Sequence, residues 1–316
     1  MAQRGIAVRI FDAKQAAREA SWAGAGMLAP GGEIDQPSPL LDYALNSLRL
    51  WPEFVRELEL ESGIRIDYRR SGGLEVALTD DEAELLAAKA ARQAALGIAS
   101  EPAHHNGSPA RFYPDDAVVD PRDVTRALLQ ACRNLGVELH EHEPVLDVSP
   151  EGRWIRTAQA RYEDSHVLIA AGAWSSELLR GVPAVLPAAY PVRGHLIAFS
   201  LAPGMLNPIL RNGHTYLLQR ESGLLIAGVS TEVVGFDRTL DPVALEEIRA
   251  KAARLLPALA SLEPSESWNG FRPGADSEAP VVTRVPGTGI LTAFGHYRNG
   301  ILLAPETASR VASLID

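Results

Sequence analysis

The period of the apolar pattern changes twice along this chain of 316 residues. Near both ends, short apolar runs alternate with helical spacing, as in an α/β layer. From Pro191 to Gly228 the apolar runs alternate with tight turns, as in an antiparallel sheet. A chain patterned this way is expected to fold as an α/β layer with a second sheet inserted into it. Its length suits two such units at one domain per ~150 residues.

Local signals place the elements. Met1-Ala-Gln-Arg-Gly5 reads as a helix end closed by glycine, followed by the strand Ile6–Phe11 and then Asp12. A helix is expected from Pro39 to about Glu61, with Leu41, Leu45, Leu48, Val55 and Leu58 on one face and a kink or break at Pro52. Strands are expected at Ile64–Tyr68 and Leu74–Leu78, and Thr79 with Glu82 forms a capping box for a helix ended by Gly97. Residues 99–110, with two prolines, two histidines and Asn106-Gly107, read as a loop. Asp120-Pro121 opens a helix that Gly136 ends, and strands follow at Val137–His140, Val145–Val148, Trp154–Thr157, Ala160–Glu163 and His166–Ala171. Thr215–Arg220 and Leu224–Val229 flank Glu221-Ser222-Gly223 as a hairpin. Asp241-Pro242 caps a helix to about Leu256, and the strand Ile290–Ala293 leads into a terminal helix.

Several functional classes are excluded. With 40 acidic and 30 basic residues the net charge is −10 and no basic run exists, a poor basis for nucleic-acid binding. The longest strongly apolar run, Val167 to Trp174, is far short of the ~20 residues that span a bilayer. Arg9 interrupts the first apolar stretch, so no signal peptide is read there. The single cysteine, Cys132, allows no internal disulfide and no cysteine-based metal cluster. The expectation is a cytoplasmic enzyme with no nucleic-acid or membrane partner. No metal site is read either. His104 and His105 lack ligand spacing, and His140 and His142 share one face of a strand edge.

Four places invite chemistry. Asp12 ends a strand, as an acid that holds ribose hydroxyls does, but no G-x-G-x-x-G precedes it; by itself it reads as an exposed strand-end acid. Ser21 to Met27, with Gly24, Ala25 and Gly26, is a run of small residues along which backbone can approach a ligand, though a tight turn packed on a sheet explains it equally well. Gly295-His296-Tyr297-Arg298-Asn299-Gly300 joins a strand end to a helix start, so unpaired N–H groups and the helix dipole suit a ligand that gathers negative charge. Arg272, before a Pro-Gly turn, is a candidate carboxylate ligand with Tyr216 beside it. One arginine among 27 is weak evidence by type alone, and a strand tyrosine usually just packs.

Taken in order, Ala20-Ser-Trp-Ala-Gly-Ala-Gly-Met-Leu-Ala-Pro30, Pro191-Val-Arg-Gly194, Gly270-Phe-Arg-Pro-Gly274 and Gly295-His-Tyr-Arg-Asn-Gly-Ile-Leu-Leu-Ala-Pro305 resemble the glycine oxidases. These are FAD enzymes of the thiazole branch of thiamine biosynthesis, within the D-amino-acid oxidase superfamily. The resemblance runs along essentially the whole chain. It implies a Rossmann-like FAD/NAD(P)-binding domain over 1–64, 117–191 and 270–316, with an inserted antiparallel substrate domain over 65–116 and 192–269. It implies Asp12 on the adenosine ribose, Val145 on the adenine, and Ser21, Gly24, Ala25, Gly26 and Met27 along the pyrophosphate and flavin. Ala171, Gly172 and Trp174 would line the FAD channel. Gly295, His296, Arg298, Asn299, Gly300, Ile301 and Leu302 would hold the flavin's pyrimidine edge. Arg272 would clamp the substrate carboxylate with Tyr216, and Arg298 and His214 would border the pocket.

The implied reaction passes a hydride from the Cα of a small amino acid to non-covalent FAD, leaving an imine, and dioxygen then yields hydrogen peroxide. A related sarcosine or D-amino-acid oxidase or dehydrogenase would carry much the same motifs, and Thr231 leaves the size of the substrate open. The family also suggests a homo-oligomer. It places a strand, a glycine fingerprint and most of a helix, roughly 25–30 residues, before the position matching Met1. An upstream start is therefore expected, with exposed sheet edges and poor FAD binding for a chain that lacks the segment; a non-enzyme fragment is the alternative.

Overall fold

The computed structural model describes residues 1–315; Asp316, the last residue of the expected 270–316 segment, lies outside them. The α/β pattern is realised by two parallel pairings. Arg9–Phe11 pairs with Glu138–His140, reached through the helix Pro121–Asn134, and Val167–Ile169 pairs with Ile290–Phe294. Ile290–Phe294 pairs on its other side with Val281–Arg284, antiparallel. Arg9–Phe11 and Val167–Ile169 each lie at the edge of their sheet.

The inserted block is an eight-stranded sheet. In spatial order it runs Glu266–Ala275, Ala189–Ser200, Leu224–Gly228, Thr215–Gln219, Ile209–Asn212, Gly73–Val76, Ser108–Tyr113 and Glu101–His105. Its pairs are antiparallel except where Ile209–Asn212 meets Gly73–Val76, a parallel seam between two distant parts of the chain. A small sheet of Met27–Leu28, Ala117–Val119 and Tyr68–Arg69 lies beside it.

The caps follow the sequence signals. Asp120 Oδ1 accepts from the Arg122 N–H at 2.8 Å and Asp241 Oδ1 from that of Val243 at 2.9 Å. Thr79 Oγ1 accepts from Glu82 N–H, while Glu82 Oε2 accepts from Leu78 N–H.

Three local expectations are corrected. Residues 99–110 are not a loop: they contribute Glu101–His105 and part of Ser108–Tyr113, a hairpin turning at Asn106 (φ 49°) and Gly107 (φ 84°). Two positive φ values are what a tight two-residue hairpin turn requires, and Pro102 is tolerated because its strand is the sheet edge. The helix Pro39–Ser62 is not broken at Pro52 and continues through it as one element. Buried Trp51, Val55 and Leu58 keep both halves packed on one core. The strand expected at Ile64–Tyr68 shrinks to Tyr68–Arg69, because side chains take the ladder's place. Ile66 N–H donates to Glu59 Oε1 and Asp67 N–H to Asp123 Oδ2.

Packing contacts anchor the start of the terminal helix and the small-residue loop. The Leu302 carbonyl accepts from Ser47 Oγ (2.7 Å) and Trp51 Nε1 (2.9 Å), fixing the chain just before the terminal helix Ala304–Ser313. Ala23, Ala25 and Ala29 pack against Tyr216, Leu218, Ile226 and Trp268, seating the small-residue loop on the large sheet. Among the described residues no helix is long and apolar enough to cross a membrane.

Gly26 holds φ +99°, and a Cβ there would lie 1.8 Å from the Val119 carbonyl oxygen. Gly26→Ala is therefore expected to destabilise the fold by about 2 kcal/mol or more. A thermal unfolding curve indistinguishable from that of the unsubstituted chain would contradict this.

Candidate functional site

The small-residue loop, one face of the large sheet and the turn after Ile290–Phe294 enclose a cavity of about 580 Å³. The sheet face is bared by a cross-strand glycine pair, Gly194 opposite Gly270. A Cβ on Gly270 would come 2.5 Å from the Ala23 Cβ, so the loop rests directly on the strand; the Ala23 carbonyl also accepts from Trp268 Nε1. A Cβ on Gly194 would come 2.2 Å from Arg272 Nη2, so the guanidinium lies across that bare position.

Arg272 has an unusual set of partners. Nη1 donates to the Arg193 carbonyl (3.3 Å) and Nη2 to the Ser230 carbonyl (3.1 Å). Among the described residues no carboxylate forms an ion pair with it, and burial pushes its pKa down. Tyr216, buried opposite Gly228, has its phenol pushed up by burial against the opposing influence of Arg272 and Arg298. It stays protonated and can donate a hydrogen bond. A desolvated cation beside a phenol, open to a cavity, suits a carboxylate ligand.

Arg298 is arranged differently. Its Nε donates to Glu33 Oε1 at 3.1 Å, its Nη2 forms an ion pair with the same oxygen at 3.0 Å, and its Nη1 lies 3.3 Å from His214 Nδ1. Arginine only donates, so His214 Nδ1 accepts there and its ring hydrogen sits on Nε2. Glu33 thus neutralises Arg298, and of the two arginines lining the cavity Arg272 is the one with no carboxylate partner among the described residues. Burial pushes the His296 pKa down to about 4, so its imidazole is neutral near pH 7. Its Nε2 meets Thr307 Oγ1 at 3.0 Å, a hydroxyl that also contacts Tyr43 Oη and donates to the Leu303 carbonyl.

Of the residues singled out from the sequence, the cavity brings together Ser21, Gly24, Ala25, Gly26, Met27, Gly172, Tyr216, Arg272, His296, Arg298, Asn299, Gly300 and Ile301. His214 stands one contact behind, on Arg298. Asp12, Val145, Ala171, Trp174, Gly295 and Leu302 lie outside its lining. Asp12 Oδ1 accepts from Lys14 N–H, Val145 packs in a core with Phe11 and Val148, and Trp174 stacks on Phe236 at 4.7 Å. Sequence reasoning misses Glu33: it meets Arg298 from far away in the chain, and only the Pro30-Gly-Gly-Glu33 turn could have drawn notice to it.

The wall is fit for a flat cofactor with a polar rim. Alanine, glycine, Met27, Leu168, Leu196 and Ile301 give it apolar faces, and the 296–301 turn brings backbone close.

The comparisons with known proteins agree. A protein-family profile described as FAD dependent oxidoreductase matches residues 1–314. The chain is 30% identical to the glycine oxidase of Bacillus licheniformis over 325 aligned residues, covering all of this chain and 88% of that protein. It is 33% identical to the bifunctional protein ThiO/ThiG of Synechocystis sp., covering 95% of this chain and 46% of that one. Its structure superposes on a glycine oxidase crystal structure from Geobacillus kaustophilus with a TM-score of 0.94 at 29% identity, covering 99% of this chain and 89% of that one.

The His296 shift has a signed consequence. An imidazole that titrates near 6.5 when unfolded and near 4 when folded takes up its proton first in the unfolded state. Stability is therefore expected to fall as pH drops from about 6.5 to about 4. Replacing His296 by Gln should flatten that part of a plot of Tm against pH; an unchanged slope would count against the buried neutral imidazole.

Proposed function

The chain belongs to the FAD-dependent oxidoreductase family, and on that premise we propose that it oxidises glycine or another small amino acid to its imine. The observation that carries this reading is Arg272, desolvated, unpaired with any carboxylate among the described residues, and next to the Tyr216 phenol in a cavity of flavin-compatible walls. Dioxygen is the proposed oxidant and hydrogen peroxide the proposed product, so the two electrons and two protons lost by the amino acid are balanced. A cytoplasmic role in making the thiazole of thiamine is proposed as well; the glycine oxidases and the ThiO/ThiG protein among its relatives support its place in thiamine biosynthesis.

FAD, when bound, supplies the two-electron acceptor. The residues proposed to hold it are those of the Ser21–Met27 loop, Gly172, and His296 to Ile301, with Asp12 toward the ribose. The proposed FAD-binding unit comprises 1–64, 117–191 and 270–316, and the substrate unit 65–116 and 192–269.

The protein's own work is binding and orientation. Arg272 takes the substrate carboxylate through two charge-assisted bonds, and Tyr216 donates a third. Each bond to a charged group is worth about 1.5–3 kcal/mol. Two or three contacts on one carboxylate leave the Cα–H bond a narrow range of directions, which is the main demand of such a transfer. The neutral His296 and the Glu33–Arg298 pair add no second free charge, so a substrate with an uncharged side chain fits best. With the amine in its free-base form, no side-chain base is needed at the Cα.

The test is peroxide production by FAD-loaded protein offered glycine, sarcosine, D-alanine and D-proline in turn. Peroxide from none of them would overturn the reading. Arg272→Ala should retain the flavin absorbance spectrum and lower kcat/KM roughly a hundredfold, mostly through KM. Unaltered turnover would remove Arg272 from the clamp.

A further inference from the structure

Residues 229–241 leave the large sheet after Leu224–Gly228 and pass beside the cavity. Val229 lines it, and Phe236 stacks on Trp174 and meets Phe271, another wall residue, edge-on at 5.4 Å. One carboxylate ties this segment down. Glu232 Oε2 accepts from Arg193 Nε at 2.9 Å and also from Nη2, while Oε1 accepts from Ser230 Oγ at 2.6 Å and His195 Nδ1 at 2.9 Å. The Asp241 N–H donates to the other ring nitrogen of that histidine. The Glu232 backbone exchanges two further bonds with Arg193, whose Nη1 continues to Asp237 Oδ2 and the Thr239 carbonyl. Partial burial works to raise the Glu232 pKa, but the bonds from Ser230, Arg193 and His195 outweigh it and hold the carboxyl below its ordinary value.

Of the three residues whose side chains end on Glu232, two, Arg193 and Ser230, are those whose carbonyls hold Arg272. Nη1 of Arg272 donates to Arg193 and Nη2 to Ser230. We infer that Glu232 is a positioning residue for the carboxylate clamp: by fixing Arg193 and Ser230 together it sets the direction of the Arg272 guanidinium, and with it the affinity for a carboxylate ligand. The inference rests on the reading of Arg272 as that clamp.

The physical reason lies in the quality of the bonds that hold Arg272. At 3.1 and 3.3 Å to neutral carbonyls they are long, and the guanidinium sits on a flexible stem over a glycine that offers no side wall. Its aim is therefore only as firm as those carbonyls. One of them belongs to a strand residue, the other to the first turn of the 229–241 segment, and Glu232 is the side chain common to both. Neutralising it leaves Arg193 with Asp237 as its carboxylate partner and weakens the anchor of the Ser230 hydroxyl.

The experiment uses FAD-loaded protein and two readouts: the Kd of acetate, a carboxylate without an amine, by titration calorimetry, and steady-state kinetics with glycine. Glu232→Gln is expected to keep its FAD, to raise the acetate Kd and the glycine KM by about tenfold, and to leave kcat within about threefold. A lower Tm with unchanged Kd and KM would show that Glu232 only stabilises its segment and would overturn the inference; so would a fall in kcat at constant KM. Ser230→Ala leaves the Arg193–Glu232 pair intact and should move Kd and KM the same way by a smaller factor. It decides the matter equally if the Gln variant does not fold. Arg272→Ala separates the two levels. If it binds acetate as well as the unsubstituted protein does, the clamp itself is wrong and the positioning inference falls with it. If it loses acetate while Glu232→Gln and Ser230→Ala do not, only the positioning inference falls.

Discussion

Removing a guanidinium from water costs several kcal/mol unless anions or well-placed acceptors replace its hydration, and among the described residues Arg272 is given only the carbonyls of Arg193 and Ser230. The most deeply buried arginines, and Arg298 beside the same cavity, are treated differently. Arg193 meets Glu232 and Asp237, Arg211 meets Asp116, Arg220 meets Asp120, and Arg298 meets Glu33. In the proposed function that contrast is what an incoming carboxylate exploits, because it supplies the counter-charge that the described residues do not. On the same reading the Glu232 anchor, the phenol of Tyr216 and the neutralised Arg298 all serve that arrangement.

Room for it is made by absent side chains. Gly194 and Gly270 face each other across the Ala189–Ser200 and Glu266–Ala275 strands and point to the same side. One admits the Arg272 guanidinium and the other admits Ala23. A methyl group at either would push the two halves of the site apart, so sheet and loop approach closely only because this patch of sheet is bare.

The legible parts of the sequence were those whose cause is local. Helix starts at Asp120-Pro121, Asp241-Pro242 and Thr79 follow from caps that act within three residues, and the hairpin around Glu221-Ser-Gly223 follows from its turn. The Asn106-Gly107 hairpin was equally local but was masked by its flanking prolines and histidines, which an edge strand tolerates. The site divides the same way. The glycine-rich loop and the 295–302 turn stand out as compact motifs, and Arg272 and Tyr216 gained meaning through a family resemblance that the relatives bear out at the level of the family. Glu33 and Glu232 were not legible, since each works on an arginine tens to hundreds of residues away and a lone glutamate in a turn has no pattern of its own.

The parallel seam of the large sheet sets an order of events at the ribosome. Gly73 pairs with Ile209, which follows it by 209 − 73 = 136 residues. Gly73–Val76 can close one edge early against Ser108–Tyr113, but its other edge has no partner until residue 209 has been made. At roughly 5–20 residues per second, that edge waits for something on the order of ten seconds on each nascent chain. Anything that slows translation between those points lengthens the exposure of an unpaired strand. The yield of folded protein should therefore depend on codon speed in the middle of the message as well as on the stability of the finished fold.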